Sequence, residues 1–122
     1  MALGTHLIVE CYIDDETELL KNTVELETLL KDAALSAGAT ILYSYFHKFD
    51  QGEGVTGFVA LAESHLSVHT WPECNYMALD VFMCGNCDPQ RSVDYIYNQV
   101  KMTKIEIRRI MRGADFENIT YN

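Results

Sequence analysis

Residues 39 to 84 contain four consecutive strand-like segments, and this run constrains the fold of the 122-residue chain more than any other feature. Each segment is rich in β-branched, aliphatic or aromatic residues, and turn or polar residues separate the segments. The four segments are 39–49, 55–61, 64–71 and 75–84. Because consecutive strands with short connections pair as hairpins, we predict a largely antiparallel sheet.

Two further strands and two helices complete the predicted order of elements. Residues 5–12 are apolar and β-branched, and residues 103–112 alternate isoleucine with charged residues, so both segments predict strands. Apolar residues recur at helical spacing over 22–37, and an Asp-Pro pair begins a second predicted helix over 88–100. The order β-α-β-β-β-β-α-β predicts an α+β fold, a two-layer α/β sandwich with both helices on one face of the sheet.

Length and charge restrict the class of protein. We expect one domain over residues 1–122, with no membrane span and no signal peptide, and therefore a cytoplasmic protein. The net charge of −9 disfavours nucleic acid and anionic membranes as partners, because phosphate groups need a basic face. Residues 1–63 hold eleven acidic and three basic residues, which predicts either a solvated acidic helix face or a field that suits a cationic ligand.

Cysteine and histidine residues near the middle of the chain suggest two alternatives. We expect all four cysteines to be reduced thiols: Cys11, Cys74, Cys84 and Cys87. Cys84 and Cys87 form a Cys-x-x-Cys pair, which occurs in zinc knuckles and in thioredoxin-type redox sites. A zinc knuckle needs a second such pair, and His65 and His69 lie on a predicted strand rather than a helix. We therefore predict no metal, and the redox interpretation stays open.

The segment 63–73, Glu-Ser-His-Leu-Ser-Val-His-Thr-Trp-Pro-Glu, is unusually polar for a strand. Each buried polar group needs a hydrogen-bond partner, so function explains this composition better than structure does. Ser64 does not lie in a Gly-x-Ser-x-Gly elbow, and the chain has no Gly-rich phosphate-binding motif. These absences disfavour an esterase of the nucleophile-elbow type and a nucleotide-phosphate site.

This segment closely resembles the processing-site motif of the short prokaryotic S-adenosylmethionine decarboxylases. The resemblance continues in collinear order over nearly the whole chain, at residues 4–7, 37–41, 46–49, 80–85, 88–89 and 112–113. It implies a self-cleaving, pyruvoyl-dependent enzyme. The reaction that it implies converts S-adenosylmethionine to its decarboxylated form and carbon dioxide, for spermidine and other polyamines.

The resemblance places self-cleavage between Glu63 and Ser64, which gives chains of residues 1–63 and 64–122. A side-chain hydroxyl can attack the preceding carbonyl, convert the amide to an ester and leave by β-elimination. Ser64 then becomes an N-terminal pyruvoyl group, the cofactor that the resemblance implies. Its ketone binds the substrate amine as a Schiff base and accepts electrons.

The resemblance also implies roles for further residues. His69 matches a histidine that assists processing, and Thr56 stands where the family has a serine that polarises the attacked carbonyl. Cys84 matches the cysteine that returns a proton to the decarboxylated carbon. Phe49 matches an aromatic residue that stacks on adenine, and Trp71 matches a tryptophan of the same pocket. Glu73 matches the carboxylate that holds the ribose hydroxyls. Family members pair as protomers that share active-site residues, which implies a homodimer.

Two alternative functions follow from the same residues. Pyruvoyl-dependent arginine and ornithine decarboxylases resemble this chain in the self-processing core, although Phe49, Trp71 and Glu73 together favour a nucleoside substrate. The replacement of serine by Thr56 leaves a second alternative, an unprocessed homologue that is non-enzymatic or binds a metal.

Overall fold

The computed structural model describes residues 2–15, 18–114 and 121, and within these ranges all the predicted elements form in the predicted order. The six strands are β1 (Gly4–Ile13), β2 (Ile41–Lys48), β3 (Val55–Leu61), β4 (Ser64–Trp71), β5 (Tyr76–Cys84) and β6 (Met102–Arg112). The two α-helices are α1 (Thr23–Ser36) and α2 (Pro89–Gln99). Two short 3-10 helices, at Leu19–Lys21 and Pro72–Cys74, are additional to the predicted elements.

All six strands join one sheet in the order β2-β3-β4-β5-β1-β6. Every neighbouring pair is antiparallel. Strands β2 to β5 follow one another as hairpins, as their short connections predict. Strand β1 lies between β5 and β6, far from its neighbours in sequence. The predicted α+β fold is confirmed.

Both helices pack on one face of this sheet and form the core with it. Strand residues that point to this face are fully buried, such as Leu7, Leu66 and Leu79, and they contact the apolar stripe of α1 that includes Leu26 and Leu30. Side chains alternate between the two faces of a strand, so the intervening residues lie on the opposite face. In the described part of the chain no helix covers that opposite face, which we call the open face.

Side-chain caps fix where the helices begin. The Asn22 side chain accepts a hydrogen bond of 3.0 Å from the Glu25 N–H and so caps α1. At α2 the Asp88 side chain accepts one of 3.0 Å from the Gln90 N–H, and Pro89 is the first helical residue, where its missing N–H costs nothing. Within the described ranges, neither helix has the length and apolar character of a membrane span.

Candidate active site

The turn between β3 and β4 contains the predicted cleavage position. The turn is tight, since Leu61 at the end of β3 pairs directly with Ser64 at the start of β4. Ser64 adopts a φ of +143°, a region that glycine tolerates and other residues avoid. Strain of this kind costs about 1–3 kcal/mol and persists only where the surrounding structure enforces it. The backbone is therefore strained at the residue whose preceding bond is predicted to break.

Cys84, the last residue of β5, contacts the carbonyl group of this same bond. Its backbone N–H and its thiol both donate hydrogen bonds to the Glu63 carbonyl oxygen, each with a length of 3.1 Å. Two such donors polarise a carbonyl group and can stabilise negative charge on its oxygen. The structure therefore brings three of the predicted site residues together: Glu63, Ser64 and Cys84.

Thr40, just before β2, holds the side chain of Glu63. The Thr40 N–H donates to Oε1 of Glu63 at 2.9 Å, and the Thr40 hydroxyl donates to Oε2 at 3.3 Å. The Ala62 N–H donates to the Thr40 carbonyl at 2.9 Å. Thr40 thus holds both the Glu63 side chain and the Ala62 backbone of the turn. The sequence interpretation missed Thr40 as a site residue, because its contact with Glu63 spans 23 residues and depends on strand pairing.

The other five predicted site residues line one pocket beyond the far end of β4: Phe49, Thr56, His69, Trp71 and Glu73. The turn between β2 and β3 supplies another part of its wall. The volume of the pocket is about 210 Å³. Small-molecule sites commonly have volumes of about 300–1,000 Å³, so this pocket alone is too small to enclose a nucleoside-sized ligand.

Polar and aromatic contacts order the side chains in this pocket. The Thr56 hydroxyl and Nδ1 of His69 are 3.1 Å apart, and the two residues are direct cross-strand partners on β3 and β4. The Trp71 ring lies 6.5 Å from the His69 ring between centroids. Phe49 packs edge-on against His47 with a centroid distance of 4.7 Å, yet it remains 47% exposed. The apolar surface that a ligand would cover is therefore largely exposed.

The pocket and the turn lie at opposite ends of β4. Ser64 and His69 are five residues apart on this strand, and a strand rises about 3.3 Å per residue, so about 16 Å separates their backbones. Within one chain, the Thr56–His69 pair does not reach the Glu63 carbonyl. The structure therefore divides the predicted site residues into two groups. We call the first group, together with Thr40, the scissile turn (Thr40, Glu63, Ser64 and Cys84), and we call the other five predicted residues the aromatic pocket.

The residues that suggested a metal alternative do not assemble into a ligand cluster in the described ranges. His65 lies on the open face, and desolvation and the nearby His6 lower its pKa, so that it is neutral near pH 7. His6 instead pairs with Asp80 at 2.9 Å. All four cysteines are unpaired thiols, and burial raises the pKa of Cys11 to about 12, which makes that thiol unreactive.

A family model and two known proteins match this chain over nearly its full length, and they identify the same family. A family model described as S-adenosylmethionine decarboxylase matches residues 5–113. The S-adenosylmethionine decarboxylase proenzyme of Methanococcus aeolicus is 43% identical over 116 residues, 94% of this chain and 97% of the relative. The proenzyme of the same name from Caldicellulosiruptor saccharolyticus is 42% identical over 113 residues, 92% of this chain and 90% of the relative.

A solved structure gives the same result for the fold. The crystal structure of the adenosylmethionine decarboxylase from Aquifex aeolicus superimposes with a TM-score of 0.83. The two chains are 33% identical, and the match covers 98% of each.

Proposed function

The chain belongs to the S-adenosylmethionine decarboxylase family and is an enzyme of that class, and we propose which of its residues cut the chain, form the cofactor and transfer the proton. The full-length similarity to proenzymes named for this activity supports S-adenosylmethionine as the substrate over arginine or ornithine. It also argues against the non-enzymatic alternative.

Self-cleavage begins at the scissile turn. The Ser64 hydroxyl attacks the Glu63 carbonyl carbon, the C–N bond between the two residues breaks, and an ester links Glu63 to the serine oxygen. The observation that carries this proposal is the pair of hydrogen bonds from Cys84 to the Glu63 carbonyl oxygen, where negative charge develops. Loss of the Ser64 α-proton then expels the Glu63 carboxylate, and hydrolysis of the dehydroalanine releases ammonia. Relief of the strain at Ser64 favours the cut.

The residues around Ser64 fit a pyruvoyl group at the new N-terminus. When formed, this group supplies the electron sink that decarboxylation requires. The thiol of Cys84 lies 3.1 Å from the carbonyl oxygen on the other side of the cut bond, so it is adjacent to the position of the reacting atoms. We assign Cys84 as the general acid that protonates the decarboxylated carbon. The pocket residues Phe49, Trp71 and Glu73 are assigned to the adenosine part of the substrate.

A second copy of the chain is proposed to complete the site. Thr56 and His69, to which the resemblance assigns a role in processing, lie about 16 Å from the scissile bond of their own chain. The open face that carries them exposes aromatic side chains, including 61% of Tyr43 and 52% of Tyr45. Exposed apolar patches of this kind mark protein–protein interfaces. A two-fold homodimer through this face brings the pocket of one protomer to the scissile turn of its partner and enlarges the pocket.

Charge and thiol chemistry support two further assignments. The net charge of −8 in residues 1–63 favours a cationic substrate, and the sulfonium of S-adenosylmethionine is cationic. The unpaired state of all four cysteines is that expected in a reducing compartment, which supports a cytoplasmic location.

Intact mass spectrometry and carbon dioxide release test the proposal together. We expect chains of residues 1–63 and 64–122, the second with a blocked N-terminus, and release of carbon dioxide from S-adenosylmethionine but not from arginine or ornithine. The variant Cys84→Ala keeps the backbone donor to Glu63, so it should still cleave while its turnover falls about 100-fold or more. An uncut wild-type chain, or full turnover by Cys84→Ala, contradicts the assignments.

A further inference from the structure

Cys84 and Cys87 flank a short turn at the end of β5, and the reaction above uses only the first of them. We propose that these two thiols form a reversible disulfide on exposure to a small-molecule disulfide, such as oxidised glutathione, and that this oxidation inactivates the enzyme. The disulfide itself is independent of the proposed function, whereas its effect on activity rests on the role proposed for Cys84.

The turn geometry suits a disulfide. Gly85 and Asn86 form the turn between the two cysteines. Four-residue turns keep their first and last Cα atoms within about 7 Å, and disulfides join Cα atoms about 4.4–6.8 Å apart. Gly85 has a φ of +68°, and no heavy atom lies within 4 Å of the position of a Cβ there. The turn therefore has room to adjust when the sulfur atoms approach.

Both cysteines of this pair are partly exposed, although Cys87 also packs against the edge of the core, so a small oxidant can reach the pair. Of the other two cysteines, one is buried and the other lies too far along the chain to share this turn. Cys11 is fully buried in the core. Cys74 is exposed but lies ten residues before Cys84, at the end of the 3-10 helix Pro72–Cys74. The pair at the end of β5 is thus the one that a local turn brings together.

Nearby groups keep the Cys87 thiol protonated near neutral pH. Desolvation, followed by the negative charges of Glu63 and of the Cys84 thiolate, raises the pKa of the Cys87 thiol. In thioredoxin-type sites the opposite holds, because a cysteine pKa is lowered and the enzyme exchanges disulfides rapidly. Cys87 therefore stays a thiol near neutral pH. This property suits a pair that responds to oxidising conditions and not one that catalyses exchange.

Oxidation of the two cysteines to a disulfide is coupled to reduction of the small-molecule disulfide to two thiols. The Cys84 thiolate attacks one sulfur of the oxidant, forming a mixed disulfide and releasing the first thiolate. The Cys87 thiolate then attacks the Cys84 sulfur, closing the Cys84–Cys87 bond and releasing the second. Two protons from the cysteines end on the released thiolates, and two electrons reduce the oxidant. Closure removes the S–H hydrogen from Cys84, and with it the donor to Glu63 and the proposed proton source.

The test uses the full-length protein after processing, equilibrated in a series of glutathione buffers from fully reduced to increasingly oxidised. Free thiols are then alkylated and the peptides mapped by mass spectrometry, while carbon dioxide release from S-adenosylmethionine is measured in parallel. We expect a Cys84–Cys87 link, an activity loss of about 100-fold, and full recovery with dithiothreitol. A Cys74→Ser background removes the exposed third thiol and should behave identically.

The matched variant is Cys87→Ser, which keeps Cys84 and should retain basal activity. In the buffer that half-inactivates the wild type it should stay mostly active, because a mixed disulfide at Cys84 lacks the advantage of an intramolecular partner. Two free thiols in the wild-type chain, or equal inactivation of Cys87→Ser, overturns the proposal. If the chain neither cleaves nor turns over, peptide mapping of the uncut protein still decides whether the disulfide forms, so failure of the proposed function is distinguishable.

Discussion

The scissile turn and the aromatic pocket occupy the two ends of β4 and differ in how completely one chain builds them. At the turn, Thr40 holds the Glu63 carboxylate and Cys84 holds its carbonyl. In the pocket, Phe49 remains 47% exposed and Trp71 43% exposed. Bond cleavage needs a rigid, oriented carbonyl, which local contacts supply. A large substrate with a planar base needs enclosure, which this chain leaves to a second copy in our proposal.

The largest expected effect follows from removal of the nucleophile at the turn. Ser64→Ala should leave an uncut chain of 122 residues and abolish carbon dioxide release, because alanine has no hydroxyl to attack Glu63. Intact mass spectrometry and a decarboxylation assay measure both effects. The control is Ser67→Ala on the same strand, which should cleave as the wild type does. Cleavage of Ser64→Ala at the same bond would place the nucleophile elsewhere.

The second prediction tests whether the two regions combine across a dimer. His69→Ala alone should not cleave, and neither should Ser64→Ala. When the two variants are co-expressed with distinguishable tags, random pairing makes about half of the His69→Ala chains partners of a Ser64→Ala chain, which supplies an intact His69. About half of the His69→Ala chains should therefore cleave, as mass spectrometry of each tagged chain would show. No cleavage in the mixture would mean that each chain uses its own histidine.

The third prediction separates binding from cleavage. Stacking of an aromatic ring on a base contributes about 1–3 kcal/mol, so Phe49→Ala should raise the KM for S-adenosylmethionine about 5- to 150-fold. Cleavage should keep its wild-type rate, because the Phe49 ring packs against His47 and has no polar group that could act on the bond. Tyr97→Ala, which removes an exposed aromatic ring on α2, is the matched control and should change neither quantity. If the cleavage rate of Phe49→Ala fell in parallel with its affinity for substrate, Phe49 would act in cleavage as well as in binding.

The smallest expected effect concerns the support of the turn. Thr40→Val removes the hydroxyl that donates to Glu63 but keeps the stronger backbone donor. The loss of one neutral-to-carboxylate hydrogen bond at an exposed site is about 1 kcal/mol or less, which corresponds to cleavage slowed by at most about five-fold. The rate is measured from the disappearance of the uncut chain. Ser44→Ala, which loses a hydroxyl bond to Glu27 elsewhere on β2, should cleave normally. Equal slowing of both variants would assign the effect to general stability.

The order of the elements was predictable because the signals are local. Hydrophobic alternation, helical spacing and turn residues each involve residues close in sequence, and they gave all six strands and both helices. The place of β1 between β5 and β6 was not predictable in this way. It depends on pairing between residues about 70 to 100 positions apart, such as Leu7 with Val81 and with Arg109. The 3-10 helices lack a periodic signal of their own.

From the sequence we could propose eight candidate site residues, but neither Thr40 nor the arrangement of the group. Glu63, Ser64, His69, Trp71 and Glu73 come from the polar run at 63–73, whereas Phe49, Thr56 and Cys84 were proposed from the resemblance outside that run. The separation of Ser64 from His69 was already implied by five residues of extended strand. The double hydrogen bond from Cys84 and the hold of Thr40 on Glu63 depend on sheet register and side-chain conformation. A single sequence contains no direct signal for either.

The strand order has a consequence for the folding of the two chains that the proposed cleavage produces. Residues 1–63 contain β1, β2 and β3, whereas residues 64–122 contain β4, β5 and β6. In the sheet these two pieces alternate, so they share three strand interfaces: β3 with β4, β5 with β1, and β1 with β6. Once separated and unfolded, the pieces must find each other in a concentration-dependent reaction, whereas the uncut precursor folds as one molecule. Under the proposed cleavage, we therefore expect the uncut precursor to refold readily and the cut chains to persist through slow unfolding, that is, through kinetic stability.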